Sequence, residues 1–354
     1  MRRLAALALV PVLALVPTLT ACSARGAPQP AAAAIACAAG SIRGEGSSAQ
    51  TNAVNAWIRD YQIACPQATV GYDSVGSGAG VKTFVDGTGD FAGSDAALTA
   101  ANRPAANARC GGTAVHLPLV VGPIALAYTV PGVGDLRLRP ATVAKIFAGA
   151  ATAWNDPAIA ADNPGVVLPA TPIVTVHRKD SSGTTDNVTR FLAATAPGDW
   201  PYGEAATWAA PGGVAETGSD GVAETVADTA GAIGYVEWSY AQFHNLDAAR
   251  VGNGAGEFAA LTGAAASRTV AGADTAGTGA DLTLNIDYRT PAAGAYPIVL
   301  VTYEIVCSTR GPALLKSFLA YAASPAGQDV ATGLGYAPLP DALRRSVSAA
   351  IRGL

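Results

Sequence analysis

The sequence predicts an α/β fold in two domains, on three observations. From about residue 40 onward, segments of helical period alternate with short β-branched runs. A long apolar pair of runs, AVHLPLVV and PIALAYTV, leads into the turn-rich PGVGD, where the chain can leave one domain for another. Residues 141–296 then carry helices and strands of their own before PIVLVTYEIVC supplies a further buried strand. With 354 residues, of which 50% are hydrophobic and 14% charged, the chain can fill a sizeable core or two. A formal net charge of −4 gives no broad basic field, which argues against nucleic acid as a partner.

The opening MRRLAALALVPVLALVPTLTAC sets two arginines before an apolar run of about 16 residues, short for a membrane-spanning helix. It reads as an export signal over residues 1–21. Leu19, Thr20, Ala21 and Cys22 have the pattern of the bacterial lipobox, in which cleavage before the cysteine leaves it to receive a lipid. Residues 22–39, small and proline-bearing, read as a flexible tether. With Cys22 set aside, Cys37, Cys65, Cys110 and Cys307 remain, an even number in a chain sent to an oxidising compartment. Two disulfides are expected. Four cysteines allow three pairings, which sequence alone does not choose; the expectation adopted is Cys37 with Cys65 and Cys110 with Cys307. Without a CxxC, and with His116, His177 and His244 far from the cysteines, nothing points to a metal site.

Along the folded part, QTNAVNAWIRDYQIA places Val54, Trp57, Ile58, Tyr61 and Ala64 at helical spacing. ATVGYDSV reads as a strand and GVKTFVDG as a helix. TPIVTVH and AIGYVEW are later strands, and ALLKSFLAYAA is a helix with Leu314, Leu315, Phe318, Leu319 and Ala322 on one face. Residues 252–280, Gly/Ala-rich and without clear period, read as a surface excursion.

Four glycine- and hydroxyl-rich turns stand out: SIRGEGSSAQ, SVGSGAGVKTF, GDFAGSDAAL and RKDSSGTT. Three lie at strand-to-helix junctions, where glycine lets the backbone approach a ligand and free amides point outward, a setting that binds anions. Each has a plainer reading. Ser48 and Ser182 alone are ordinary helix caps, Asp95 a turn residue and Arg178 a solvated charge. GSGAGVKT also imitates a phosphate-binding P-loop, but that loop needs glycine directly before the lysine, and Val81 stands there. The plain readings leave unexplained why four such turns recur in one exported chain.

GSGAGVKTFVDGTGDFAGSDAAL, VHRKDSSGTTDNVTRFLA and GAIGYVEWSYA, in this order and separation, resemble the signature stretches of the PstS family, the phosphate-binding proteins of bacterial phosphate ABC importers. The resemblance extends from about Ser41 to the C-terminus. It implies a type II periplasmic-binding-protein fold: domain I from residues 40–130 and 297–354, domain II from 131–296, two crossover strands and a ligand cleft between the domains. The crossovers fall near residues 128–133 and 294–298 on this reading. It also implies that Ser48, the Ala49 amide, Ser77 and Asp95 contact inorganic phosphate from domain I. Arg178, Ser182, Gly183 and Thr184 would do so from domain II, with Asp180 holding Arg178 by a salt bridge. The implied protein is a monomer without cofactor, lipid-anchored to the outer face of the cytoplasmic membrane, whose partners are phosphate and the importer's permease subunits. Three positions depart from the family pattern: Ala49 stands where phenylalanine is common, Ser181 replaces a glycine, and Ser48 is often threonine in relatives.

Two other functions compete with this one. A phosphoester hydrolase lacks support, because no GxSxG elbow occurs and no motif sets a histidine beside a serine. A binding protein for another oxyanion is the closer alternative. Asp95 weighs against it: phosphate near neutral pH keeps a proton that a carboxylate can accept, whereas sulfate has none and is repelled.

Overall fold

The computed structural model describes residues 35–309 and 311–354; the expected signal segment and Cys22 lie outside the described residues. Residues 35–39 of the expected tether are pinned. Cys37 is disulfide-bonded to Cys65, and the Ala38 amide donates to the Tyr61 hydroxyl at 3.2 Å. The second disulfide joins Cys110 to Cys307, so both expected pairings are present.

The chain begins with β1 (Gly40–Gly46), α1 (Thr51–Ala64), β2 (Ala68–Ser74), α2 (Ser77–Asp86), β3 (Phe91–Ser94), α3 (Arg103–Cys110) and the long β4 (Ala114–Thr129). There follow β5 (Arg137–Leu138), α4 (Pro140–Phe147), α5 (Pro157–Asp162), β6 (Val174–Arg178), α6 (Gly183–Thr195), β7 (Val214–Glu216), α7 (Gly218–Asp228), β8 (Ala232–Glu237) and α8 (Trp238–Phe243). Short pieces come next: β9 (Asp247–Ala248), β10 (Arg250–Gly252), β11 (Phe258–Ala259), α9 (Gly263–Ala271), β12 (Asp274–Thr275) and β13 (Leu284–Asn285). The chain closes with β14 (Val299–Cys307), α10 (Ala313–Ala322), α11 (Pro325–Gly333) and α12 (Asp341–Gly353).

Among the described residues the main sheet has nine strands, in the order β2-β1-β3-β14-β4-β8-β6-β7, with β9 beside β4. Parallel pairs lie toward its ends, and antiparallel β14, β4 and β8 occupy its middle. β4 is the element common to both halves. From Ala114 to Pro123 it pairs with β14, and from Ile124 to Thr129 with β8. It is buried along its whole length except Thr129, which is why its two apolar runs form one strand through Pro118 and Pro123. A register shift between Thr302 and Tyr303 absorbs the extra residue on β4 near Pro118. The change of partner thus falls at Pro123–Ile124, upstream of the 128–133 stretch where the sequence placed the first crossover. The second expected crossover, 294–298, leads directly into β14, and Ile124 N bonds Ile298 O there at 2.9 Å.

Each half has core on both faces. In the first, Val54, Trp57 and Tyr61 of α1 pack with Phe318 and Leu319 of α10 over β1 and β4, while Phe84 of α2 joins Val121, Val301 and Ile305 on the other face. In the second, Phe147, Trp154, Phe191 and Tyr235 pack on one face and Val176, Val222 and Val226 on the other. Each such apolar side chain contributes roughly 1.5–3 kcal/mol by leaving water. The 252–280 stretch contains more than the expected surface excursion. Its α9, capped by Thr262 Oγ1 accepting from Ala265 N at 3.1 Å, buries Ala266 and Val270 against the sheet. Alanine is a strong helix former but gives little apolar contrast, so the period was faint in the sequence.

Candidate functional site

The four hydroxyl-rich turns converge at the middle of the sheet. The β1–α1 turn brings Ser47, Ser48 and Ala49, the β2–α2 turn brings Ser77, the end of β3 brings Asp95, and the β6–α6 turn brings Arg178 to Thr184. Two glycines make the approach possible. Gly76 holds φ +89°, a conformation L side chains avoid, and a Cβ there would strike the Asp180 carboxylate. A Cβ at Gly183 would lie 2.5 Å from Asp95 Cβ and 2.7 Å from Ser77 Oγ, so the first residue of α6 is glycine because a carboxylate and a hydroxyl crowd it.

Asp95 is buried, with 4% exposure. Thr302 Oγ1 donates to its Oδ1 at 2.7 Å, Ser77 Oγ lies 3.4 Å from its Oδ2, and its amide donates to Ser77 Oγ at 3.2 Å. Burial pushes the Asp95 carboxyl above the usual carboxylate range, against the pull of Ser47, Thr302 and Ser77 and the charge of Arg178. From α6, Asn187 Nδ2 donates to the Asp95 carbonyl at 2.8 Å.

Arg178 closes β6 and is 2% exposed. Its Nε donates to Asp180 Oδ1 at 2.7 Å and its NH2 group to Oδ2, forming a two-toothed ion pair, and Gly218 N adds a bond to Oδ1 at 3.1 Å. Burial alone would raise the Asp180 carboxyl, but the Arg178 bonds and charge and the Gly218 amide hold it below the usual range. The expected salt bridge is therefore in place. A guanidinium held this way keeps donors free on its remaining face for an anion.

Ser182 caps α6 through Oγ, which accepts from Thr185 N at 3.2 Å. The cap does not bar a binding role for Ser182, because capping uses its lone pair and leaves its hydrogen to donate. Gly183 and Thr184 stand in the first helical turn, where amides lack an intrahelical acceptor. Thr184 Oγ1 is buried without a hydrogen-bond partner among the described residues. Ser48 is not the cap of α1, a place taken by Gln50. Instead Ser48 Oγ lies 2.9 Å from Ser219 Oγ and accepts from Ser219 N at 3.1 Å. The Ala49 amide donates to Ser47 Oγ at 3.1 Å, and the Ala49 side chain is fully buried in the core of the second half. Ser181 lies against α2, its carbonyl accepting from Gly78 N at 3.2 Å.

Sequence reasoning missed Ser219, Thr302, Asn187, Tyr240 and Tyr336. The last two donate their hydroxyls to the carbonyls of Ser48 and Ala49 at 2.8 and 2.7 Å, fixing the turn that bears them. Ser219 had a signal: TGSDG is a fifth turn of the same kind ahead of a helix. Lys82 of the P-loop imitation is 76% exposed and pairs with Asp86. His116, one of two buried histidines, has both ring nitrogens engaged, Nε2 accepting from Leu98 N at 2.9 Å and Nδ1 facing Asp281 at 2.6 Å.

What this arrangement suits chemically is a small, multiply oxygenated anion: hydroxyl and amide donors on several sides, one guanidinium and one carboxylate able to accept a proton. Comparison with known proteins agrees. Residues 31–326 match the family described as PBP superfamily domain. The phosphate-binding protein PstS 3 of Mycobacterium leprae is 41% identical over 320 residues, covering 88% of this chain and 86% of its own. PstS 2 of Mycobacterium tuberculosis is 41% identical over 323 residues, covering 88% and 87%. Among solved structures, the phosphate-binding protein of Stenotrophomonas maltophilia superposes with a TM-score of 0.70 at 20% identity, over 88% of this chain and 93% of that one, a likeness of fold. The chain belongs to the PBP superfamily and, within it, to the PstS phosphate-binding proteins.

Proposed function

We propose that this protein binds inorganic phosphate outside the cytoplasm and delivers it to an ABC-type phosphate importer. The observation that carries the reading is the convergence of Ser77 and Asp95 on the first turn of α6, beside the Arg178–Asp180 pair, with Ser48 facing the first turn of α7, whose Gly218 amide holds Asp180. In this reading Arg178 and the amides of Gly183 and Thr184 neutralise and hold phosphate oxygens, the hydroxyls of Ser48, Ser77, Ser182 and Thr184 donate to them, and the Ala49 amide exchanges Ser47 for the ligand. Asp95 accepts the ligand's remaining proton. The partnerless Thr184 hydroxyl supports this, because a buried hydroxyl ordinarily finds a partner.

In this reading residues 40–130 and 297–354 form one lobe, apart from Ile124–Thr129, which pair with β8 of the other, and 131–296 form the second, the two closing on phosphate as a monomer. The lipid on Cys22 holds the protein to the outer face of the membrane, where the closed form meets the permease subunits. The reaction is binding and release, without catalysis. Calorimetric titration into ligand-stripped protein decides the matter: phosphate binds and sulfate does not. Equal binding of sulfate would replace phosphate by a general oxyanion, and turnover of a chromogenic phosphate ester would restore the hydrolase.

A further inference from the structure

Ser219 is the second residue of α7, 1% exposed, and faces Ser48 from the opposite half of the sheet. Two of its groups meet the same atom. Its amide, one of the first-turn donors that helical geometry leaves without an intrahelical acceptor, donates to Ser48 Oγ at 3.1 Å, and its own Oγ lies 2.9 Å from that oxygen. The preceding amide, of Gly218, holds Asp180 at 3.1 Å. The first turn of α7 therefore supports both Ser48 and the carboxylate that orients Arg178.

A serine hydroxyl has one hydrogen and two acceptor positions. The Ser219 amide occupies one acceptor position of Ser48 Oγ. Between the two hydroxyls one hydrogen is shared, and which oxygen donates it depends on what lies beyond Ser48. A phosphate oxygen next to Ser48 is an acceptor and requires the Ser48 hydrogen. Ser219 then donates its own hydrogen to Ser48 Oγ, filling the second acceptor position.

We propose that Ser219 is a positioning residue for the ligand site: with both acceptor positions of Ser48 filled from α7, the Ser48 hydroxyl is a one-way donor to the bound anion. The chain of donors runs from Ser219 through Ser48 to the ligand, and such chains polarise each bond in turn. Because Ser48 and Ser219 come from different halves of the sheet, the bond also ties ligand binding to their apposition. The inference rests on the phosphate reading above.

The test is calorimetric titration of phosphate into stripped wild-type protein and into Ser48→Ala, Ser219→Ala and the double variant, with melting temperatures measured in the absence of phosphate. Ser219→Ala is expected to bind roughly three- to tenfold more weakly, the worth of one hydrogen bond. The double variant is expected to bind no more weakly than Ser48→Ala alone, because Ser219 acts through Ser48. Melting without phosphate should stay unchanged, and in wild-type protein the Ser219 amide should exchange its hydrogen more slowly once phosphate is added. Additive losses in the double variant, wild-type affinity in Ser219→Ala, or exchange indifferent to phosphate would each overturn the proposal. Wild-type protein that binds no phosphate would sink the phosphate reading and this inference with it, whereas normal wild-type binding beside an unaffected Ser219→Ala would sink this inference alone.

Discussion

Asp95 reads as a turn former in the sequence, and the proposed phosphate site makes it a discriminator. Its Oδ1 is taken by Thr302 and its Oδ2 faces Ser77, in surroundings that already disfavour its charge. A ligand proton offered to this carboxylate relieves that cost, whereas a fully ionised anion adds repulsion to it. Asp95→Asn keeps an oxygen for Thr302 and removes the charge, so sulfate binding should improve against phosphate by about tenfold or more, about 1.4 kcal/mol. Parallel titrations with the two anions check this; unchanged sulfate rejection would take the proton-reading role away from Asp95. The residues around it were unequally legible. Ser48, Ser77, Arg178 and Gly183 sit in turns whose composition is local and therefore visible. Thr302 and Asn187 act on Asp95 from 207 and 92 residues away, and a threonine inside an apolar strand reads as a β-branched filler.

At the scale of elements, the β8–α8 junction carries another buried carboxyl. Glu237 caps it, accepting from Ser239 N at 2.9 Å, and is fully buried at the end of β8. Burial pushes Glu237 up to about 8, with the bonds from Ser239 pulling the other way and the charge of Asp95 adding to the rise. The folded value lies above the unfolded one, so the stabilising contribution is complete below about pH 4.5 and is lost as pH rises toward 8. One proton taken up on folding makes that slope at most about 1.4 kcal/mol per pH unit. Glu237→Gln removes it. The melting temperature of the variant should therefore gain on wild type steadily from pH 5 to pH 8 and run parallel to it above that. Glu304, pushed up to about 7 by burial, contributes in both proteins and cancels in the comparison. A constant gap across the range would mean that Glu237 does not titrate there. Both acids lie in segments that the sequence marked as strands, Glu304 in one read as buried, but burial of an acid has no local signature beyond the acid itself. The helix α9 was hidden for the opposite reason, since its buried face is built from alanine and threonine beside one valine.

For the whole molecule, the lasting connection between the two halves of the sheet is backbone: β4 pairs with β14 and then with β8 without a break in the strand. The contacts that bring the site's two sides together are of another kind. Ser48 meets Ser219 at 2.9 Å, Asn52 meets Ser239 at 2.8 Å, Asn187 meets the Asp95 carbonyl at 2.8 Å and Gly78 meets the Ser181 carbonyl at 3.2 Å. Hydrogen bonds of this sort exchange with water for a net cost of only about 0.5–1.5 kcal/mol each, a scale that suits the proposed opening and closing about an unbroken strand. A ligand that makes contacts on both sides adds its own binding energy to the apposed form and shifts the balance toward it. If the halves behave as lobes, solution scattering on stripped protein should show the radius of gyration falling as phosphate is added. The pairing change at Pro123–Ile124 and the approach to β14 at Ile298 are where the bending must be taken up, and substitutions there should alter the size of the fall without touching a ligand-binding group. A radius of gyration that stays fixed while calorimetry reports binding would leave phosphate in a rigid, preformed site, and the polar contacts across the halves would then be structural.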